Sequence, residues 1–142
     1  MLSPLFIEVG FGDTVIMQAR EGLNHVMDCY PFPHHDALDR NYKFKDCIIT
    51  ATAMMREGLE PSSHDQQSKI LYKYLRGIYY FADQGNMQVQ DLSRVLYHSE
   101  AMIFGDVKVQ PRIVEIFNQR QNRIKELNQM TLLRIKKKGN EL

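Results

Sequence analysis

Apolar residues recur every three or four positions along most of the chain, which is the spacing of helices that bury one face. Pro31, Gly58 and Gly85 interrupt this spacing and divide the first 104 residues into segments. The predicted helices span residues 13–30, 35–58, 63–85 and 88–104. Because amphipathic helices joined by short loops pack in alternating directions, the pattern predicts an all-α fold, an antiparallel up-down four-helix bundle over residues 13–104.

A further long helix is predicted over residues 111–138, where Pro111 suits the first helical turn. Its apolar positions are sparser than those of the other helices. Two arrangements therefore stay open, in which this helix either packs on the bundle or projects from it. At 142 residues the chain favours a single domain, which includes an apolar N-terminal segment, residues 1–12.

The third predicted helix carries more apolar and aromatic surface than one core requires. Its central stripe consists of Leu71, Leu75, Ile78 and Ala82. Tyr72 and Tyr79 lie beside this stripe and Tyr80 lies opposite Leu71, so that the apolar arc covers roughly 200°, about twice the usual width. Either this helix is the most buried one, with the last helix covering its flanks, or its tyrosines stay exposed as anchors for a partner.

Composition places the chain among soluble globular proteins, with 44% hydrophobic and 25% charged residues. No apolar run is long enough to span a membrane, and the first ten residues lack the pattern of a secretory signal. Cys29 and Cys47 are too few for a disulfide framework. We expect both to be reduced and buried in helices of a cytoplasmic protein.

The sequence lacks the motifs that metal binding, redox chemistry and catalysis usually require. It has no Glu-x-x-His or Cys-x-x-Cys motif, and the glycines of residues 10–14 are followed by no phosphate-loop lysine. The histidines and aspartates of residues 34–39 are interpreted as a solvated helix start rather than a metal site. His25 and His98 have no evident nucleophile partner. We therefore expect a binding protein without cofactor, metal or catalytic residues, and not an enzyme.

Charge is unevenly spread, although the net charge is only +1. Residues 111–142 hold eight Lys and Arg against three Asp and Glu, a net charge of +5. The basic tail consists of Arg134, Lys136, Lys137 and Lys138. Three interpretations stay open: contact with nucleic-acid phosphates, docking on a partner or a second copy, or plain solvation. No aromatic residues are interleaved with the basic ones, which makes nucleic acid the weaker interpretation.

Taken in order, the helices resemble those of the FliS family of flagellar secretion chaperones over about residues 7–104. Glu21-Gly22 matches a Glu-Gly pair in the family's first helix. Residues 43–49, KFKDCII, resemble its Lys-x-x-Asp-Ile-Ile segment. Residues 69–86, KILYKYLRGIYYFADQGN, resemble its third helix, with Leu71-Tyr72 at a Leu-Tyr pair. The resemblance does not extend to the predicted helix over residues 111–138.

The resemblance implies binding without catalysis. Chaperones of this family hold the C-terminal segment of flagellin in the cytoplasm, prevent its premature polymerisation and deliver it for export. That segment is disordered alone and gains helix as it wraps the bundle. The implied client-binding groove consists of Ile49, Tyr72, Tyr79, Tyr80, Tyr97 and Phe104. The implied N-terminal lid consists of Leu5, Phe6, Ile7 and Val9, with ordinary packing of a terminal segment as the alternative.

The alternative function is that of a small regulatory protein. It would bind nucleic acid or a partner protein through the basic C-terminal helix. We also expect that a second copy of this chain can be the partner, through self-association of the same helix.

Overall fold

The computed structural model describes residues 13–62 and 64–141, which form helices joined by turns and loops, with no strand among them. In chain order the helices are α1 (Asp13–Glu21), a short 3-10 helix (Val26–Cys29), α2 (Asp36–Asp39), α3 (Tyr42–Arg56), α4 (Gln66–Gln84), α5 (Val89–Phe104) and α6 (Gln110–Asn140). The all-α prediction is confirmed for these residues. The predicted lid, Leu5, Phe6, Ile7 and Val9, lies outside them.

The chain divides into two compact units, Met1–Pro31 and Phe32–Leu142. In the first unit the predicted helix over residues 13–30 is wrong in its second half, because Gly22 adopts a left-handed conformation at φ +64 and ends α1. The imidazole of His25 then caps the 3-10 helix, and its Nδ1 accepts the Met27 N–H at 3.0 Å. The prediction of one domain over residues 1–142 stays a prediction.

The predicted second helix, residues 35–58, is interrupted after α2. A new helix starts at Asn41, whose Oδ1 accepts the Phe44 N–H at 3.0 Å, so that a side chain replaces the missing helical bond. Leu38 and Phe44 are both fully buried on either side of the break. The apolar spacing therefore continues across two helices, which is why it predicted one.

The third predicted helix begins later than expected, because Asp65 caps α4 and accepts the Ser68 N–H at 2.8 Å. This backbone hydrogen bond is the largest cause of the lowered pKa of Asp65. The predicted start at Ser63 lies outside the described residues. Helix α4 ends at Gln84 with Gly85 as its cap, in agreement with the prediction.

The core of the second unit is built from α2 through α6. Its buried residues are Leu38, Phe44, Ile48, Ala51, Met55, Leu71, Leu75, Ile78, Tyr79, Ala82, Met87, Leu92, Val95, Leu96, Ile113 and Phe117. Helices α3 and α4 approach closely at Gly77, where an added Cβ would lie 2.5 Å from the Sγ of Cys47. Glycine at this position therefore permits the contact between the two helices.

The sequence left open whether the last helix packs on the other helices or projects from them. In the structure the first part of α6 packs on the core and the second part does not. Ile113 and Phe117 are buried in the core. Residues 122–141 are exposed without exception. The core thus includes the start of the fifth predicted helix, whereas the up-down four-helix arrangement of residues 13–104 stays a prediction.

Candidate binding surface

Helix α4 has two faces of different exposure. Its predicted central stripe, Leu71, Leu75, Ile78 and Ala82, is buried, with at most 1% of any of these residues exposed. The exposed fractions are 53% for Tyr72 and 58% for Tyr80. Tyr79 is only 3% exposed and packs against Phe117 of α6, with ring centroids 5.1 Å apart. Helix α6 therefore covers Tyr79, whereas the other two predicted groove tyrosines of α4, Tyr72 and Tyr80, stay accessible.

The remaining groove residues lie at separate places on the second unit. Tyr97 on α5 is 49% exposed and lines a depression that Gln110 and Val114 of α6 complete. Phe104 is partly buried under the guanidinium of Arg56, which lies 4.8 Å from the ring centroid. Ile49 on α3 is partly buried. The structure brings Tyr72 and Tyr79 to one cleft and distributes the other predicted residues elsewhere.

Tyr72 and Tyr79 line a cleft between α4 and α6 of about 260 Å³, here named the arginine cleft. Its lining residues are Tyr72, Arg76, Tyr79, Ile116, Gln119, Arg120 and Arg123. The guanidinium carbon of Arg76 lies 5.9 Å from the Tyr72 ring centroid, and that of Arg120 lies 5.3 Å from the Tyr79 ring centroid. Stacking on rigid rings limits the motion of these two arginine side chains.

The hydroxyl of Tyr79 is a buried polar group without a hydrogen-bond partner. Burial is the main cause that raises its pKa above the usual range, with Arg120 acting in the opposite direction. Buried hydroxyls in native proteins are normally hydrogen-bonded. An unpaired one at the wall of a charged cleft is therefore an unusual feature of this unit.

Glu100 on α5 fastens the start of α6, and its role could not be read from motifs. It is 1% exposed, and it accepts backbone N–H groups of Lys108, Val109 and Gln110 at 2.9 to 3.2 Å. Arg56 adds a charged hydrogen bond at 2.8 Å. The carboxylate thus supplies acceptors to the unpaired N–H groups at a helix N-terminus. The only sequence signal for this role was the position of Glu100 four residues after Leu96, on an apolar helix face.

The exposed part of α6 combines apolar and basic side chains. The predicted tail residues Arg134, Lys136, Lys137 and Lys138 are all exposed there. The large apolar residues exposed along the same part are Ile124, Leu127, Met130, Leu132, Leu133 and Ile135. Leu133 reaches 66% exposure. This segment therefore presents both kinds of side chain to any partner.

The described residues give no geometric sign of a metal site. No group of three or more His, Cys, Asp or Glu residues there is placed to hold an ion. His35 caps α2 by accepting the Ala37 N–H on Nδ1. Cys29 and Cys47 are partly buried rather than fully buried as expected. Burial raises the pKa of the Cys47 thiol to about 11, with Asp46 adding to the effect.

In the described part of the chain, no helix has both the length and the apolarity that crossing a membrane requires.

Comparison with protein-family models, with curated proteins and with solved structures gives no match. The fold and the surface define an all-helical protein whose second unit presents exposed tyrosines, an arginine-lined cleft and a projecting basic helix end. The resemblance to FliS chaperones stays a prediction from the sequence motifs.

Proposed function

We propose that this chain is a cytoplasmic export chaperone that holds a disordered segment of a secreted protein, with the C-terminal segment of flagellin as the expected client. Residues 13–104 would form the bundle that the client wraps. Binding would prevent premature polymerisation of the client. No chemical step is part of this function, since the chain only covers apolar client surface until export.

The observation that carries the proposal is the exposure of Tyr72 and Tyr80 on α4 beside a fully buried stripe. A helix whose core face is complete has no internal use for two further large rings. Tyrosine tolerates partial exposure and is enriched among the residues that dominate protein interfaces. Coupled folding of a disordered segment buries about 1,000–3,000 Å² and loses several kcal/mol to ordering. A few such anchors are therefore needed for micromolar binding, about −8 kcal/mol.

Calorimetry with a synthetic C-terminal flagellin peptide tests the proposal. We expect submicromolar binding with a negative heat-capacity change and little dependence on salt. The double variant Tyr72→Ala/Tyr80→Ala should weaken binding at least tenfold and still melt cooperatively. The matched control Leu132→Ala/Leu133→Ala removes exposed apolar residues from α6 and should bind as the wild type does. Absence of binding to the wild type would exclude flagellin as the client.

The second candidate function is binding of nucleic acid or an acidic partner through the exposed part of α6. The supporting observation is that residues 122–141 are all exposed and carry the basic tail. Such binding should weaken steeply with salt. Neutralising Lys136, Lys137 and Lys138 to glutamine should abolish it, and unchanged affinity of that variant for a short single-stranded RNA would exclude phosphate contact by these lysines.

A further inference from the structure

The arginine cleft has an electrostatic character that client binding by tyrosines does not explain. Arg76, Arg120 and Arg123 line it, and none of them has a carboxylate within ion-pair distance among residues 13–62 and 64–141. Arg112, nearer the start of α6, is by contrast paired, since it contacts both Glu60 and Glu115. Three unpaired cations at one small cleft repel one another in the absence of an anion. A cleft lined by three unpaired cations carries a positive potential, which favours an anionic ligand.

Two of these arginine side chains are restrained by ring stacking before any ligand binds. Arg76 is four residues after Tyr72 on α4 and stacks on its ring, while Arg120 reaches from α6 to the Tyr79 ring. Guanidinium groups restrained in this way lose less conformational entropy when they bind an oxyanion. The buried contact of Tyr79 with Phe117 packs α4 against α6, and these are the two helices that form the cleft.

The unpaired hydroxyl of Tyr79 is a second, independent observation. Tyr79 lines the cleft and is only 3% exposed. Its hydroxyl is buried and has neither donor nor acceptor in the described residues. Because the hydroxyl is covered in the unliganded chain, an oxyanion in the cleft would reach it only after a lining side chain shifts. Such an oxyanion would supply the acceptor that this O–H lacks.

We propose that the arginine cleft binds a phosphate-bearing small molecule, whose phosphate oxygens accept hydrogen bonds from Arg76, Arg120 and Arg123, and from the Tyr79 hydroxyl once a shift of a lining side chain uncovers it. A single carboxylate has two oxygens and one negative charge, which leaves part of this donor set unused. A phosphate monoester carries about −1.5 to −2 charges at pH 7 and three terminal oxygens, and arginine forks bind such oxygens in pairs. The cleft volume of about 260 Å³ also accommodates more than a single ordered water.

The test uses the full chain and calorimetry at fixed ionic strength in a phosphate-free buffer. The probes are inorganic phosphate, adenosine monophosphate and citrate. We expect saturable binding of at least one of the two phosphate compounds at concentrations below about 1 mM, a free energy beyond about −4 kcal/mol. Tighter binding of adenosine monophosphate than of phosphate would identify a nucleotide-like source, and equal binding would identify the free anion. Citrate binding as tight as that of both phosphate compounds would overturn the phosphate assignment, as would no binding of either compound.

A charge-matched pair of variants separates the cleft from the general basic field. The triple variant Arg76→Gln/Arg120→Gln/Arg123→Gln should bind phosphate at least about tenfold more weakly. The control Arg134→Gln/Lys136→Gln/Lys137→Gln removes the same charge from the tail and should bind as the wild type does. All six side chains are exposed, so both variants should fold. Equal weakening of the two variants would overturn the proposal, because it would assign binding to the net charge.

The variant Tyr79→Phe examines the hydroxyl alone. Since that hydroxyl has no partner, its removal should leave the melting temperature of the unliganded chain unchanged or slightly raised. Phosphate affinity should fall about threefold to tenfold. Unchanged affinity in this variant would remove the hydroxyl from the site and overturn that part of the proposal. A client peptide that still binds both Tyr79→Phe and the arginine triple variant would show that the proposed chaperone function and the phosphate site are independent.

Discussion

The two parts of α6 share one continuous helix and differ in what surrounds them. Residues 110–121 contribute Ile113 and Phe117 to the core, where they are 0% and 3% exposed. Residues 122–141 continue for about five further turns with every side chain exposed. Apolar side chains occur in both parts. The comparison teaches that apolar spacing indicates helix, whereas only neighbouring helices decide whether the apolar positions are buried.

The physical difference between the two parts is the source of their stability. The packed part gains from apolar burial and from the Glu100 carboxylate at its first turn. The exposed part has only helix propensity and the nucleus that the packed part supplies, whereas most helical stability in proteins comes from tertiary packing. The two parts should therefore respond differently to substitution.

The largest difference is expected between Phe117 and Leu133. Phe117→Ala removes a buried ring that contacts Tyr79, and should lower the free energy of unfolding by about 3–5 kcal/mol. Leu133→Ala removes a 66% exposed side chain and should change it by less than about 0.5 kcal/mol. Chemical denaturation of the two variants measures both. Similar losses would mean that the exposed part is covered in solution.

Glu100 tests how firmly the start of α6 is held. Glu100→Gln leaves Arg56 without its buried carboxylate and weakens acceptors for three backbone N–H groups. We expect a loss of about 2–3 kcal/mol in the free energy of unfolding. The control Glu115→Gln removes an exposed ion pair with Arg112 and weakens an exposed hydrogen bond from Gln119, and should cost less than about 1 kcal/mol. An equally small effect at Glu100 would contradict its role as the anchor of the helix.

Two helical glycines extend the comparison to backbone packing. In Gly77→Ala the new Cβ meets Cys47 Sγ at 2.5 Å, and the strain of about 1–3 kcal/mol should exceed the propensity gain of about 1 kcal/mol. Gly139→Ala meets nothing within 4 Å and should be neutral or slightly stabilising. Thermal melting distinguishes the two. In a Cys47→Ala background the Gly77→Ala penalty should disappear, and its persistence would place the strain elsewhere.

Asp106 should make the free energy of unfolding depend on pH in the acidic range, because it pairs with Arg56 near the start of α6. Its hydrogen bond with Arg56 is the main cause that lowers its pKa below the ordinary 3.8. A lowered folded-state pKa contributes stability that is present above 3.8 and lost as pH falls through the folded-state value. The difference in unfolding free energy between the wild type and Asp106→Asn should therefore be constant from about pH 5 to 7 and shrink below 3.8. Denaturation at several pH values checks this, and a pH-independent difference would contradict it.

Deletion of residues 122–142 should have the smallest effect on stability. Residues 122–141 are all exposed, so the free energy of unfolding should stay within about 0.5 kcal/mol, while the helical circular-dichroism signal falls. Both quantities should be independent of protein concentration. A concentration-dependent loss of stability on deletion would instead support the expected self-association through this helix.

The sequence predicted the helical class and the core stripe of α4 correctly, because a period of 3.6 residues is a local property that tertiary contacts then use. It placed the C-terminal end of α1 too late and missed the break after α2. At Gly22 and Asn41 a left-handed glycine and a side-chain cap override a continuing apolar pattern. Such local hydrogen bonds compete with helix extension but leave the apolar spacing intact.

The candidate surface was predicted only in part. The sequence indicated an excess of aromatic surface on α4, and Tyr72 and Tyr80 are indeed exposed. It gave no means to assign Tyr79 to the core, because that assignment depends on Phe117, which is 38 positions along the chain. The role of Glu100 and the meeting of Arg76 with Arg120 depend in the same way on residues that are distant in sequence.

By itself, the sequence determined the helical class of the chain, which stripe of α4 is apolar and where positive charge accumulates. Only the tertiary structure decided that α6 covers Tyr79, that Glu100 holds the start of α6, and that three arginines line one cleft. The reason is physical: helix formation depends on residues within one or two turns, whereas burial, ion pairing and cleft formation depend on which distant surfaces meet.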